Sequence, residues 1–244
     1  MDLSRVSIGL PGATPHDVIR ALAPQIEAAG FRALWLNDTP EGDSLAGLAA
    51  AAGVTSTLGL GTGVIPLDRR PASAILPALD GLPLDRLSLG IGTGAARRGL
   101  DLVERSVAEL RAGTDAAIIV GALGPKMRAL GARVADGLLL SWLTPEVAAA
   151  QRANIRCVLY ARTALTPDAL PALEAEAARY AGHPSYAANF ERIGVTPLET
   201  TISDRDRIDD YLPVVDELVL RVITREPGLA EYERFLAAVQ RPAA

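Results

Sequence analysis

Eight short apolar runs alternate with amphipathic stretches along the whole chain. Each run is continuously apolar instead of alternating with polar residues, which is typical of parallel strands covered on both faces. The predicted strands are residues 5–10, 33–37, 58–65, 87–91, 116–121, 137–142, 156–163 and 217–223. The predicted helices include 44–53, 72–80, 99–112, 167–181 and 229–239, and an extra helical layer is predicted over 182–215.

Three Thr-Pro pairs predict where helices begin. Thr14, Thr144 and Thr166 each offer an N-cap hydroxyl, and the proline that follows suits the first helical position. Gly30 follows the apolar stretch of the first helix and predicts its C-terminal end.

Eight strands with intervening helices in 244 residues are typical of a (β/α)8 TIM barrel. A doubly wound sheet is the alternative, but it would usually need fewer strands and a switch point. Since no linker or low-complexity tract interrupts the chain, residues 1–244 are predicted to form one α/β barrel domain.

Composition narrows the class of protein. Apolar residues make up 49% and charged residues 22%, which excludes a disordered chain, and no apolar run reaches the roughly 18 residues of a membrane span. The net charge of −5 argues against nucleic acid as a partner. Because the single cysteine, Cys157, cannot form an internal disulfide, we expect a cytoplasmic protein.

Glycine concentrates where the third, fourth and fifth predicted strands end. In a barrel the active site lies at these ends, and a missing Cβ lets a ligand or another backbone come close. Tight turns are the alternative explanation at any one of them. The series Gly90, Gly92, Gly94 lacks the third glycine of a dinucleotide fingerprint at its required offset.

The fifth strand leads into Gly124, Pro125 and Lys126, which open a helix. Free N–H groups at a helix start attract anions, and Lys126 is the only lysine of the chain. The alternative is a solvated surface lysine. Two arginine pairs, 69–70 and 97–98, are predicted to rim the same mouth, unless they are merely surface residues at helix starts.

Asp38 and Trp142 each have two possible roles, and Trp35 has one predicted role. Asp38 ends the second strand and could hold a proton, or it could cap the next helix. Trp142 could line a cofactor pocket or pack the barrel top, whereas Trp35, within a strand, is predicted to be a core residue.

The chain has no GxSxG elbow or P-loop, and two isolated histidines with one cysteine do not build an ordinary zinc site.

Two long segments, residues 27–72 and 120–146, resemble luciferase-like flavin-dependent oxidoreductases. The nearest likeness is to the actinobacterial branch proposed to use the deazaflavin coenzyme F420, and the resemblance extends over nearly the whole chain. It implies a barrel, usually a homodimer, in which an isoalloxazine-like ring lies in the mouth.

The resemblance also implies a set of site residues. A bulge with a non-proline cis peptide at Gly63–Val64 would back the ring, and the phosphate would meet the backbone at Thr93–Gly94 and Ala122–Gly124. The cofactor-binding residues expected are Gly9, Asn37, Thr62, Gly63, Val64, Gly92, Thr93, Gly94, Ala122, Leu123, Gly124, Pro125, Lys126 and Trp142.

Two departures from the family pattern concern proton handling. Many deazaflavin relatives have Asp-His after the second strand, where this chain has Asp38 and Thr39, and some have a Glu where it has Ala95. Asp38 and Thr39 are therefore the expected catalytic residues. The resemblance implies F420-dependent hydride transfer to or from a small organic substrate; the alternatives are an FMN-dependent monooxygenase and a catalytically degenerate flavin-binding barrel.

Overall fold

The computed structural model describes residues 2–241, in which the strands form one closed parallel barrel. The strands are Val6–Leu10 (β1), Ala33–Leu36 (β2), Gly59–Thr62 (β3), Ile65–Pro66 (β4), Leu87–Gly92 (β5), Ala117–Gly121 (β6), Gly137–Ser141 (β7), Arg156–Thr163 (β8) and Glu217–Val222 (β9). Their order is β3-β2-β1-β9-β8-β7-β6-β5-β4, and pairing of β3 with β5 closes the circle. Because β3 and β4 are two parts of one predicted strand, the eight-stranded barrel is confirmed.

Ten α-helices in residues 2–241 surround the barrel. They are His16–Ala28 (α1), Ser44–Ala52 (α2), Ala72–Ile75 (α3), Gly99–Gly113 (α4), Pro125–Val134 (α5), Pro145–Ala150 (α6), Leu170–Ala181 (α7), Pro184–Ile193 (α8), Ile208–Tyr211 (α9) and Leu229–Gln240 (α10). Helices α8 and α9 form the extra layer predicted before the last strand. None of the helices in the described residues has the length and apolar character that crossing a membrane requires.

The helix-start predictions are confirmed in part. Thr144 caps α6, where its hydroxyl accepts a hydrogen bond from the Val147 N–H at 3.4 Å. The prediction for Thr14 is wrong, because its hydroxyl donates instead to the Pro11 carbonyl at 2.7 Å and Pro15 occupies the N-cap of α1. Gly30 follows α1 in a left-handed conformation, φ 81°, as predicted for a helix end.

A buried carboxylate closes the N-terminal end of the barrel. Glu217, the first residue of β9, is fully buried and accepts hydrogen bonds from the Ser7 hydroxyl at 2.6 Å and the Trp35 indole at 2.7 Å. Arg156 and Arg32 form ion pairs with it at 2.5 Å and 3.1 Å. Trp35 is therefore a core residue, as predicted.

Candidate functional site

A cavity of about 840 Å³ lies at the C-terminal ends of the strands. This volume is in the upper part of the range of small-molecule sites. The cavity is lined by the ends of β2 to β8, by the loops that follow β5 and β6, and by side chains of α7 and α8. It therefore occupies the position at which barrel enzymes place their active sites.

One wall of the cavity is built from glycines and Val64. A Cβ added at Gly92 would lie 2.7 Å from the Val64 side chain, and one added at Gly121 would lie 3.0 Å from it. The glycines thus make room for Val64, which faces the cavity between them. The peptide bond between Gly63 and Val64 is cis, as the sequence resemblance implied.

An amide network fixes the bulge from inside the barrel. The Asn37 side chain donates a hydrogen bond to the Gly63 carbonyl, and its Oδ1 accepts from the Tyr160 hydroxyl at 3.1 Å and from Arg221 Nε at 3.0 Å. Burial raises the pKa of Tyr160 to about 12, although Arg221 and Arg162 oppose that rise. Tyr160 therefore stays a neutral donor at physiological pH and orients the amide.

The loop after β5 is shaped by a carboxylate outside the cavity. Gly94 has φ 56°, and a Cβ there would lie 1.7 Å from an Asp68 carboxylate oxygen. Asp68 also accepts a hydrogen bond from the Ala95 N–H at 2.9 Å. Position 94 therefore requires glycine, and the turn that it forms brings Thr93 and Gly94 to the edge of the cavity.

Unused hydrogen-bond donors gather at the start of α5. Gly124 is the N-cap of this helix and receives no side-chain cap, and a Cβ at Gly124 would meet no atom within 4 Å. Asn189 is 4% exposed and lines the cavity; its Oδ1 accepts a hydrogen bond from Arg192, whereas its Nδ2 has no partner among residues 2–241. Free N–H groups at a helix start together with an unused buried amide nitrogen are the donor set that suits an anion.

Two guanidinium groups flank these donors. Arg128 and Arg192 both donate to the Leu123 carbonyl, at 3.0 Å and 3.4 Å. Partial burial and the nearby charge of Arg192 lower the pKa of Arg128. The two cations thus repel each other in this arrangement, and a bound anion would relieve that repulsion. Arg128, Asn189 and Arg192, with the start of α5, are called the anion corner below.

The wall opposite the glycines is polar and cationic. Arg162, at the end of β8, is 6% exposed and donates to the Ser141 hydroxyl at 2.6 Å. Its guanidinium lies over the rings of Trp142 and Tyr180, at 4.1 Å and 4.6 Å. Both rings therefore fix the plane of a charge that faces the cavity.

Glu176 on α7 stands behind this guanidinium, 3.6 Å from Arg162 Nε. Burial acts to raise the pKa of Glu176, but the charges of Arg221 and Arg162 and a hydrogen bond from Arg179 outweigh it, so the net shift is downward. Glu176 is thus a carboxylate at physiological pH and no proton donor.

Asp38, the expected proton handler, lines the cavity but is paired. Arg69 and Arg70 lie 3.5 Å and 3.6 Å from its carboxylate, and the Ser44 hydroxyl donates to it at 3.0 Å. Thr39 lies outside the cavity lining, with a buried hydroxyl that has no partner among residues 2–241. Arg69 and Arg70, which were predicted to rim the mouth, lie outside the cavity lining and pair with Asp38 at its edge.

The second arginine pair does not line the cavity either. Arg98 pairs with Asp101, one turn further along α4, at 2.6 Å. This pair therefore belongs to the surface of the helix start, which was the alternative interpretation.

Nine of the expected cofactor-binding residues come together around the cavity. They are Asn37, Gly63, Val64, Gly92, Thr93, Gly94, Ala122, Leu123 and Gly124. Gly9 and Thr62 do not line it: a Cβ at Gly9 would lie 2.8 Å from the Tyr160 hydroxyl, and the buried Thr62 hydroxyl donates to the Gly90 carbonyl at 2.8 Å. Both positions serve packing between strands.

The expectations for Pro125, Lys126 and Trp142 also need correction. Pro125 and Lys126 occupy the first turn of α5, but both are exposed and lie outside the cavity lining. Trp142 is 1% exposed and packs beneath Arg162 with φ 59°, so it supports the cavity wall without reaching the surface of the cavity. The cations beside the expected phosphate position are Arg128 and Arg192, whereas the sequence had predicted Lys126.

Sequence reasoning missed Arg162, Asn189 and Arg192. A charged residue near the end of an otherwise apolar strand was the available signal for Arg162, since such a residue must face the barrel interior or its mouth. Asn189 and Arg192 lie on α8, in the extra layer, where no motif marks them.

Known proteins place this site in context. The family model described as luciferase-like monooxygenase matches residues 1–114. No curated protein matches the chain.

Solved structures match over nearly the whole chain. An F420-dependent secondary alcohol dehydrogenase, in complex with an F420-acetone adduct, is 14% identical with a TM-score of 0.71, covering 97% of this chain and 99% of that one. A coenzyme F420 dependent tetrahydromethanopterin reductase from Methanopyrus kandleri is 18% identical with a TM-score of 0.71, covering 96% and 97%. Monooxygenase RslO1 from Streptomyces bottropensis is 16% identical with a TM-score of 0.69, covering 96% and 97%. At these identities the likeness establishes the fold.

Proposed function

We propose that the chain, whose residues 1–114 match the luciferase-like monooxygenase family model, is an F420-dependent oxidoreductase. Its reaction is hydride transfer between the deazaflavin and a small organic substrate. Two of the similar structures are F420-dependent enzymes, which supports the choice of cofactor. When bound, the deazaflavin supplies a carbon centre that accepts or donates a hydride, while the protein supplies position and electrostatics.

The anion corner is the observation that carries this proposal. F420 bears a phosphate and a glutamate tail, so it brings more negative charge than FMN. In an acidic chain, the anion corner combines the buried amide nitrogen of Asn189, which has no partner among the described residues, with two guanidinium groups and a helix start. The phosphate would bind to Asn189 Nδ2 and the N–H groups after Gly124, where a charge-assisted hydrogen bond is worth about 1.5–3 kcal/mol.

Val64 and its neighbours hold the ring in this proposal. The Val64 side chain would back one face of the ring, and the Asn37 amide keeps the bulge in place through the Gly63 carbonyl. Arg162 and Ser141 close the opposite wall, so the substrate would bind between that wall and the ring. Asp38 remains the candidate for proton handling, now as a paired carboxylate at the cavity edge.

Titration with F420, followed by fluorescence quenching, tests the proposal. Asn189→Leu is expected to weaken F420 binding about tenfold or more, because a buried donor to the phosphate is lost. Lys126→Ala is the matched control, since Lys126 is the nearby cation that lies outside the cavity, and we expect unchanged affinity. Failure of the wild-type protein to bind F420, or a weakened Lys126→Ala with normal Asn189→Leu, would contradict the assignment.

FMN-dependent monooxygenation is the second candidate. The description of the family model and the similarity to RslO1 favour it. Parallel titration separates the two, because tight FMN binding without F420 binding selects the monooxygenase. Binding of a cofactor without turnover selects the catalytically degenerate flavin-binding barrel, for which the missing His and Glu of the family pattern would be the explanation.

We also propose that the enzyme is a cytoplasmic homodimer, as the family resemblance implies. The buried Cys157 agrees with a reducing compartment, since it has no partner for a disulfide within the chain. Light scattering on the purified protein is expected to give twice the mass of one chain.

A further inference from the structure

The wall formed by β7 and β8 presents a buried guanidinium to the cavity. Arg162 is 6% exposed and lines the cavity, and its Nε lies 3.6 Å from Glu176, beyond hydrogen-bond distance. A buried guanidinium whose one nearby carboxylate is shared with other cations is unfavourable unless a further counter-charge completes its shell. This arrangement therefore points to a ligand group that brings negative charge.

The nearby carboxylates do not neutralise the positive charge of this wall. Glu176 is the nearest to Arg162, but its other oxygen is bound by Arg179 at 2.9 Å, and Arg221 also acts on it. One carboxylate thus faces three guanidinium groups. Asp38, the acid that lines the cavity, is already paired with two arginines.

The guanidinium of Arg162 is also held in one orientation. Trp142 lies 4.1 Å from its central carbon, Tyr180 lies 4.6 Å from it, and Ser141 accepts a hydrogen bond from Nη1 at 2.6 Å. A fixed planar fork matches the geometry of a carboxylate better than a mobile ammonium does. Tyr180 and Tyr186 line the same part of the cavity and offer aromatic contacts to a flat molecule.

We propose that Arg162 binds the carboxylate of the substrate, so that the substrates are small, flat organic acids. This inference rests on the proposed function, because the glycine wall opposite is there assigned to the cofactor ring. The acid would lie between Val64 and Arg162, with its carboxylate on the guanidinium. The anion corner, on α5 and α8, is a separate site that takes the phosphate.

Benzoate and its neutral isostere benzamide test this inference by intrinsic tryptophan fluorescence. The chain has two tryptophans, of which Trp142 stacks on Arg162 and Trp35 lies at the opposite end of the barrel. We expect benzoate to bind about tenfold more tightly than benzamide, since only the acid gains the charge-assisted pair. Equal affinities in the wild-type protein would overturn the inference.

Three variants test whether Arg162 is the residue responsible for the preference for benzoate over benzamide. Arg162→Met is expected to abolish the discrimination, whereas Arg179→Met and Arg192→Met are matched controls that should retain it. Arg179 shares Glu176 with Arg162 but lies outside the cavity lining, and Arg192 belongs to the anion corner. Discrimination that survives in Arg162→Met, or that is lost in Arg192→Met alone, would refute the assignment.

Two precautions keep the test decisive. Should Arg162→Met fail to fold by circular dichroism, Arg162→Lys carries the test: its charge remains but the fork is lost, so the preference for benzoate should fall several-fold. The titrations are run with and without F420. Preference for benzoate without F420 binding would contradict the proposed function alone, and F420 binding without that preference would contradict the present inference alone.

Discussion

Glu217 shows how much a single residue contributes to this barrel. Its carboxylate is fully buried and accepts from Ser7, Trp35, Arg32 and Arg156, which lie on or beside different strands. Each donor is satisfied by the same group, so removing the charge leaves several partners unpaired at once. The residue therefore ties the start of β9 to β1, β2 and β8 at the N-terminal end of the barrel.

We expect Glu217→Gln to lower the free energy of unfolding by about 3 kcal/mol, the lower end of the cost of breaking a buried ion pair. The lower end applies because the Arg32 side chain is 44% exposed and that of Arg156 25%, so solvent screens both. Urea unfolding measures the loss. Glu104→Gln, which removes a surface pair with Arg133, is the control and should cost less than about 1 kcal/mol. Equal losses in both variants would exclude a special role for the buried carboxylate.

At the scale of elements, one carboxylate of α1 organises the loop that leads into β3. Glu27 Oε1 accepts hydrogen bonds from the N–H groups of Ser56, Thr57 and Leu58, at 2.9 Å, 2.6 Å and 2.8 Å. These bonds lower the pKa of Glu27 to about 2, with the Thr57 N–H as the largest cause, and they outweigh burial. The conformation of the loop at residues 56–58 thus depends on the ionised carboxylate of Glu27.

The stabilisation by Glu27 is expected to depend on pH. Because the folded-state pKa is depressed below the ordinary value of 4.5, the contribution is complete above that value and is lost as the pH falls toward about 2. The difference in unfolding free energy between the wild-type protein and Glu27→Gln should therefore shrink between pH 5 and about 2. Glu109→Gln, an exposed change on α4, is the control for the effect of the substitution itself. A constant difference for Glu27→Gln would contradict the role of its charge.

The elements themselves could be predicted because apolar runs covered on both faces are a strong local signal. The split of one predicted strand at residues 63–64 could not be predicted from such a pattern, since 58–65 is apolar or glycine except for Thr62. The N-cap at Thr14 failed for a similar reason: its hydroxyl had a competing partner in the Pro11 carbonyl, which a local pattern does not rank.

At the scale of the whole molecule, the location of the site could be predicted but its charges could not. The barrel rule places strand ends together, and nine of the expected residues do surround one cavity. The charged groups of the site could not be predicted, because their positions depend on the orientation of side chains and on the extra helical layer, in which no sequence motif marks them. Lys126 was conspicuous as the only lysine, yet its side chain is exposed, whereas Arg192 and Asn189 reach the cavity from α8.

Because the anion corner joins α5 of the barrel to α8 of the extra layer, a ligand bound there should stabilise the whole fold. A ligand that binds only the folded state adds about 2.7 kcal/mol of stability at a concentration 100 times its Kd. We expect F420 at that excess to raise the unfolding free energy of the wild-type protein by this amount. At the same F420 concentration, Asn189→Leu should gain about 1.4 kcal/mol less if its Kd is tenfold weaker. Lys126→Ala should follow the wild-type protein, and an equal gain in Asn189→Leu would mean that Asn189 does not bind the phosphate.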